Sequence, residues 1–204
     1  MLSEPASSLT DLLLGVVVLL LALDLRRRPG VHRYWLLTFY WIAAAALSGA
    51  VHHGVVTYSD RWSGPSWALI SGMVVLAVSY LLAATVVEVL GPGQGRIFWI
   101  LRSVGLIAYA VLALTGHAGI EAILLCEGLT MAAVLGLWVL AIRRRNPLAW
   151  PVALALVASM IAATARAMPP SWTARVGLDP TSLYHVAQIP GMILLYRALT
   201  RRAA

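Results

Sequence analysis

Seven apolar runs, each about as long as a bilayer is thick, take up most of this chain. A membrane-spanning helix needs ~20 mainly apolar residues. The runs lie at about 8–25, 34–56, 66–90, 97–115, 118–142, 148–167 and 180–200. Short breaks separate them, the clearest being Arg26-Arg27-Arg28-Pro29-Gly30, Gly91-Pro92-Gly93-Gln94-Gly95 and Arg143-Arg144-Arg145-Asn146-Pro147. Only the 168–179 connection, with Pro169, Pro170 and Trp172, has appreciable length. There is no internal repeat or low-complexity tract. The pattern predicts an all-α membrane protein: one domain over 1–204, a bundle of seven transmembrane helices.

Composition supports the same class. Only 11% of residues are charged and 61% are hydrophobic, whereas a soluble domain is about a quarter charged. The net charge of +7 does not point to nucleic acid. All fifteen basic residues are Arg, grouped in the breaks as the positive-inside rule requires. With the N-terminus outside, the cytoplasmic side holds Arg26, Arg27, Arg28, Arg33, Arg96, Arg102, Arg143, Arg144, Arg145, Arg197, Arg201 and Arg202. The outer side holds only Arg61, Arg166 and Arg175. The expected placement is multi-pass in the plasma (inner) membrane, with a cytoplasmic C-terminus. Met1 to Asp11 carries Glu4 and Asp11 and no basic residue, so the first run is expected to be a retained helix rather than a signal peptide. Trp35, Trp62, Trp67, Trp99, Trp150 and Trp172 fall near segment ends, where indoles sit at headgroup level.

The absence of Lys excludes a retinal Schiff base, which needs a Lys amine. The single Cys126 excludes an internal disulfide and a Cys-rich metal site.

Chemistry concentrates in two segments, Leu47-Ser48-Gly49-Ala50-Val51-His52-His53-Gly54 and Asp179-Pro180-Thr181-Ser182-Leu183-Tyr184-His185-Val186-Ala187-Gln188. A polar side chain in hydrocarbon is costly and implies a partner or a function. At 1.5 Å per residue, His52 lies ~6 Å and His185 ~7.5 Å below the outer boundary, so the two share a depth. Ser48 and His52 are spaced i, i+4 and share a face, whereas His53 points ~100° away. His52 and His185 are therefore candidate metal ligands, with Ser48 a candidate catalytic group. His117, Glu121 and Asp179 are candidate further ligands by depth, since catalytic zinc wants three protein ligands and a water. Gln188 shares the His185 face as a pocket residue. Glu127 lies deep in the fifth run, where a carboxyl is protonated, paired or functional.

The Ser48-x-x-x-His52 element resembles that of the superfamily containing alkaline ceramidases and progestin/adipoQ receptors. The resemblance implies a seven-helix zinc-dependent hydrolase acting on an amide or ester of a lipid-like substrate. In that superfamily the seventh helix supplies a His-x-x-x-His pair. The positions flanking His185 at that spacing are Thr181 and Ile189. Over most of its length the chain also resembles an uncharacterised family of small bacterial seven-helix proteins, through Leu9-Thr10-Asp11 and Leu183-Tyr184-His185-Val186-Ala187-Gln188. Two other readings stand beside the hydrolase. One is a haem-binding electron carrier with His52 and His185 as axial ligands. The other is a non-catalytic membrane module binding a lipid or a protein.

Overall fold

The computed structural model describes residues 2–201, so Arg202 lies outside the described residues. Within them the chain is helical, with no strand. The described residues form eight α-helices: α1 (Pro5–Leu25), α2 (Arg33–Gly54), α3 (Asp60–Leu90), α4 (Arg96–Leu114), α5 (Ile120–Arg143), α6 (Ala149–Thr164), α7 (Pro170–Thr173) and α8 (Pro180–Arg201). Helices α1 to α6 are long and apolar enough to cross a membrane, α6 together with the 3₁₀ turn Ala165–Ala167 that extends it.

The seventh predicted span, α8, is 22 residues long but is not among those six. Its sequence explains this: Thr181, Ser182, His185, Gln188, Pro190 and Arg197 dilute its apolar residues. Two other expectations shift. Helix α3 begins at Asp60 rather than about 66 and carries Pro65 inside it. Trp35 does lie near a helix end, as the third residue of α2, but it faces the core, 1% exposed and ring to ring with Trp138 at 6.4 Å.

The long helices alternate in direction, so α1 starts at the end of the bundle where α2 and α6 finish and α3 and α8 begin. Helix α1 packs between α2 and α8, α2 on α3, α3 on α5, α5 on α6 and α6 on α8. Helix α4 lies outside this ring, mainly against α3 and α5 with Trp99 edge-on to Tyr34 of α2 at 5.8 Å, and its buried residues are Gly105 and Tyr109. The apolar core includes Val18, Leu25, Trp35, Phe39, Leu82, Trp138, Val152 and Leu195. Leu114, Leu125, Trp150 and Ile161 are at least 65% exposed on the outside of the bundle, as expected of a surface that meets lipid. The Arg clusters gather at the end where α1 finishes, and the buried ionisable groups of α1, α2 and α8 gather at the other.

Candidate functional site

Three helix termini build the site. Helix α1 enters with Pro5 in its first turn and buries Ser7, Ser8 and Asp11 on one face. Helix α2 ends beside it. The carbonyls of His53 and Gly54, which have no partner within α2, accept the N–H groups of Glu4 and Ser3 at 3.0 Å each. Ser8 donates to the Ala50 carbonyl at 2.8 Å. Gly49 makes this approach possible, because a Cβ there would collide with the Asp11 carboxyl group. Helix α8 starts on the other side of α1. Asp179 caps it, accepting the N–H groups of Thr181 (2.9 Å) and Ser182 (3.0 Å) and the Ser182 hydroxyl. Ser7 links the two helices, lying 3.4 Å from Asp179 and 3.3 Å from the Ser182 hydroxyl. Burial pushes the Asp179 carboxyl up, but these hydrogen bonds outweigh it and hold the group below the usual carboxylate range.

Asp11 is the centre of the site. One of its oxygens lies 3.3 Å from His185 Nε2 and the other 3.9 Å from His53 Nε2. The second distance exceeds hydrogen-bond range. The two imidazole rings are 6.3 Å apart. His185 Nδ1 lies 3.2 Å from the Thr10 hydroxyl, so both its ring nitrogens are engaged. His53 Nδ1 lies 2.6 Å from Glu4 Oε2. The groups run from surface to interior: the Glu4 side chain is 50% exposed, His53 12%, and Asp11 and His185 7% each. Arg166, whose guanidinium lies 5.6 Å over the Trp67 ring, acts electrostatically on Asp11 and His185.

The structure distributes the sequence-selected residues differently from the expectation. His52 and Ser48 do share a face of α2, but that face meets α3. His52 Nδ1 lies 3.2 Å from the Ser66 hydroxyl, its ring is 5.7 Å from Trp67, and Ser48 points to the Met73 sulfur at 3.7 Å. His53, a quarter-turn on, is the histidine beside His185. His117 and Glu121 are exposed at the α4–α5 connection, away from the termini that build the site; α5 meets α2 only further along, where Trp138 packs on Trp35. Asp179 serves as the α8 cap. Gln188 donates to the Ser159 carbonyl at 3.3 Å and fastens α8 to α6.

Sequence reasoning left out Glu4, Thr10, Asp11 and His53. The available signal was Gly49: it marks the face of α2 that a neighbouring backbone can approach, and His53 is four residues further along that face.

The donor set does not fit the zinc or haem expectations. His52 and His185 face different neighbours, and both nitrogens of His185 are taken. Among the described residues no group of three or more His, Cys, Asp or Glu is arranged to hold a metal ion.

The model of DUF6962, a family of unknown function, matches residues 6–204, and the chain belongs to that family. No curated protein and no solved structure matches it, and nothing matched links it to the ceramidase and receptor superfamily.

Proposed function

We propose that this protein is a multi-pass membrane protein that handles protons at an acid–base site in the extracytoplasmic end of its bundle. Glu4, His53, Asp11 and His185 are the groups that carry them. The supporting observation is the graded series of contacts, 2.6, 3.9 and 3.3 Å, leading from half-exposed Glu4 to buried Asp11 and His185. Imidazoles between carboxylates relay protons because each ring can take one at one nitrogen and release one at the other. The orientation rests on the arginines. Arg26 to Arg28, Arg33, Arg96, Arg143 to Arg145, Arg197 and Arg201 all lie at or just beyond helix termini at the opposite end, the cytoplasmic end by the positive-inside rule. Helix α8 is the seventh span in this reading. The bundle shields its polar face, which explains why its composition falls short of a lipid-facing helix.

The test is pH-difference infrared spectroscopy of the protein in liposomes. A carboxyl band lost in Asp11→Asn should change with pH together with histidine ring bands lost in His53→Gln and His185→Gln. Separate titration of these bands in the wild-type protein rejects the cluster.

Hydrolysis of a lipid-like amide or ester is a second reading, favoured by the shallow depression beside the cluster, lined by Glu4, Ser7, Asp179 and Thr181. It would use Asp11 and His185 for proton transfer, with Ser48 uninvolved because it faces Met73. Fatty-acid release from a panel of short-chain amide and ester lipids, lost in Asp11→Asn and kept in Ser48→Ala, is the expected signature. Elemental analysis of the purified protein tests the zinc expectation directly.

A further inference from the structure

A second polar site lies in the seam of α3, α4 and α5, remote from the Asp11 cluster. Glu127 is 5% exposed and Thr130 1% exposed. Glu127 Oε2 and Thr130 Oγ1 are both buried without a hydrogen-bond partner. The two residues are three apart on α5 and share a face, and both turn toward Gly105, the middle residue of α4. A Cβ at Gly105 would lie 3.7 Å from Glu127 Oε1, 3.8 Å from Thr130 Oγ1 and 3.3 Å from the Cys126 carbonyl.

Thr130 differs from the threonines that bond back along their own helix. Thr10, Thr38, Thr115 and Thr200 each donate to the carbonyl four residues back, at 2.8, 2.9, 3.0 and 3.1 Å. Thr130 leaves the Cys126 carbonyl alone and keeps its hydroxyl free beside Glu127. The helix over the pair is the least embedded of the long helices: α4 buries only Gly105 and Tyr109. Tyr109 ties α4 to α3 by donating to the Ala68 carbonyl at 2.9 Å. Cys126 on α5 and Tyr109 on α4 are the other titratable groups facing this seam; α3 contributes Ser71. Among the described residues no cation forms an ion pair with Glu127.

We propose that Glu127 is a proton-exchanging carboxyl in the membrane interior, with the Thr130 hydroxyl as its hydrogen-bond partner and Gly105 of α4 as its cover. When protonated, Glu127 donates its O–H to Thr130 Oγ1. When the proton leaves to water, the Thr130 hydroxyl turns and donates to the carboxylate. A hydroxyl fits both states because it is donor and acceptor at once. A bare carboxylate in hydrocarbon is too costly to be the resting form, and a loosely embedded α4 gives the proton a way in and out.

The test uses the full-length protein in its membrane and a hydrophobic carbodiimide. This reagent takes the carboxyl proton onto one of its two nitrogens while the carboxyl oxygen bonds to its central carbon; the acyl group of the resulting O-acylisourea then shifts from oxygen to nitrogen, giving a stable N-acylurea. It therefore reads only the protonated acid. Tandem mass spectrometry of the wild-type protein should place an adduct on Glu127. Once the carboxyl ionises, labelling should fall by about tenfold per pH unit. Localising the adduct in the wild type keeps the test valid even where Glu127→Gln fails to fold. Thr130→Val, which cannot stabilise the ionised form, should carry labelling to higher pH. Absence of a Glu127 adduct at every pH, or labelling that never falls as pH rises, overturns the proposal. An unchanged pH profile in Thr130→Val overturns the assignment of Thr130.

Discussion

Around Asp11 the wall built by α1, α2 and α8, and around Glu127 the wall built by α3, α4 and α5, treat buried polar groups in opposite ways. In the first, Ser7, Ser8, Thr10, Asp11, Ser182 and His185 all have partners on neighbouring elements, and Gly49 brings the backbones close enough for this. In the second, Ser71, Glu127 and Thr130 keep unpartnered atoms under a helix that barely embeds. Polar residues in an apolar chain can thus either join helices or be held in reserve, and substitutions distinguish the two.

The largest effect is expected at Asp11. Asp11→Ala removes the group between buried His185 and half-buried His53 and should cost about 3 kcal/mol, the upper end for leaving a buried polar group without its partner. Thermal unfolding in detergent measures it, and a loss below ~1 kcal/mol would place Asp11 outside the joint. Next is Gly49→Leu, which puts a side chain where the Asp11 carboxyl sits. Overpacking of this kind costs about 1–3 kcal/mol. The same scan reads it, and a neutral result would mean that α1 and α2 do not approach as described.

The two walls are compared most directly by Ser8→Ala and Thr130→Val. Ser8→Ala deletes a made hydrogen bond and should cost about 0.5–1.5 kcal/mol. Thr130→Val deletes a hydroxyl that makes no hydrogen bond in this structure and is only the proposed alternate partner of Glu127, so it should cost less than Ser8→Ala. Equal costs would erase the difference between the walls. The smallest effect concerns pH. Asp179 has its carboxyl held below the usual range in the folded protein, so its contribution to stability is present above the unfolded carboxylate pKa. It is lost as pH falls through the folded value. Asp179→Asn should flatten the acid limb of a melting-temperature profile and leave the neutral region almost unchanged.

Much of this was legible in the sequence, and particular residues show where reading stopped. Apolar run length marks the long helices, and Arg26 to Arg28 and Arg143 to Arg145 mark their breaks. Helical periodicity correctly puts Ser48 and His52 on one face and His53 on another. It does not say which neighbour each face meets. That depends on α1 lying against Gly49, a three-dimensional packing fact. Depth and the spacing from Ser48 single out His52, yet the face the two share meets α3. Asp11 sits in an apolar run near a predicted boundary and reads as an interfacial acid until α2 and α8 close around it. Helix α8 reads as one more span, although burial of its polar face against α1 and α6 is what lets it lie in the bundle.

Double-mutant cycles on Asp11 decide the central assignment, that His53 and His185 rather than His52 share its carboxylate. Asp11→Asn is combined in turn with His53→Gln, His185→Gln and His52→Gln, and unfolding free energies are measured in one detergent. Coupling of about 0.5–3 kcal/mol is expected for the first two pairs, with the third additive to within ~0.5 kcal/mol. Coupling of Asp11 to His52 that equals or exceeds its coupling to His53 would contradict the assignment.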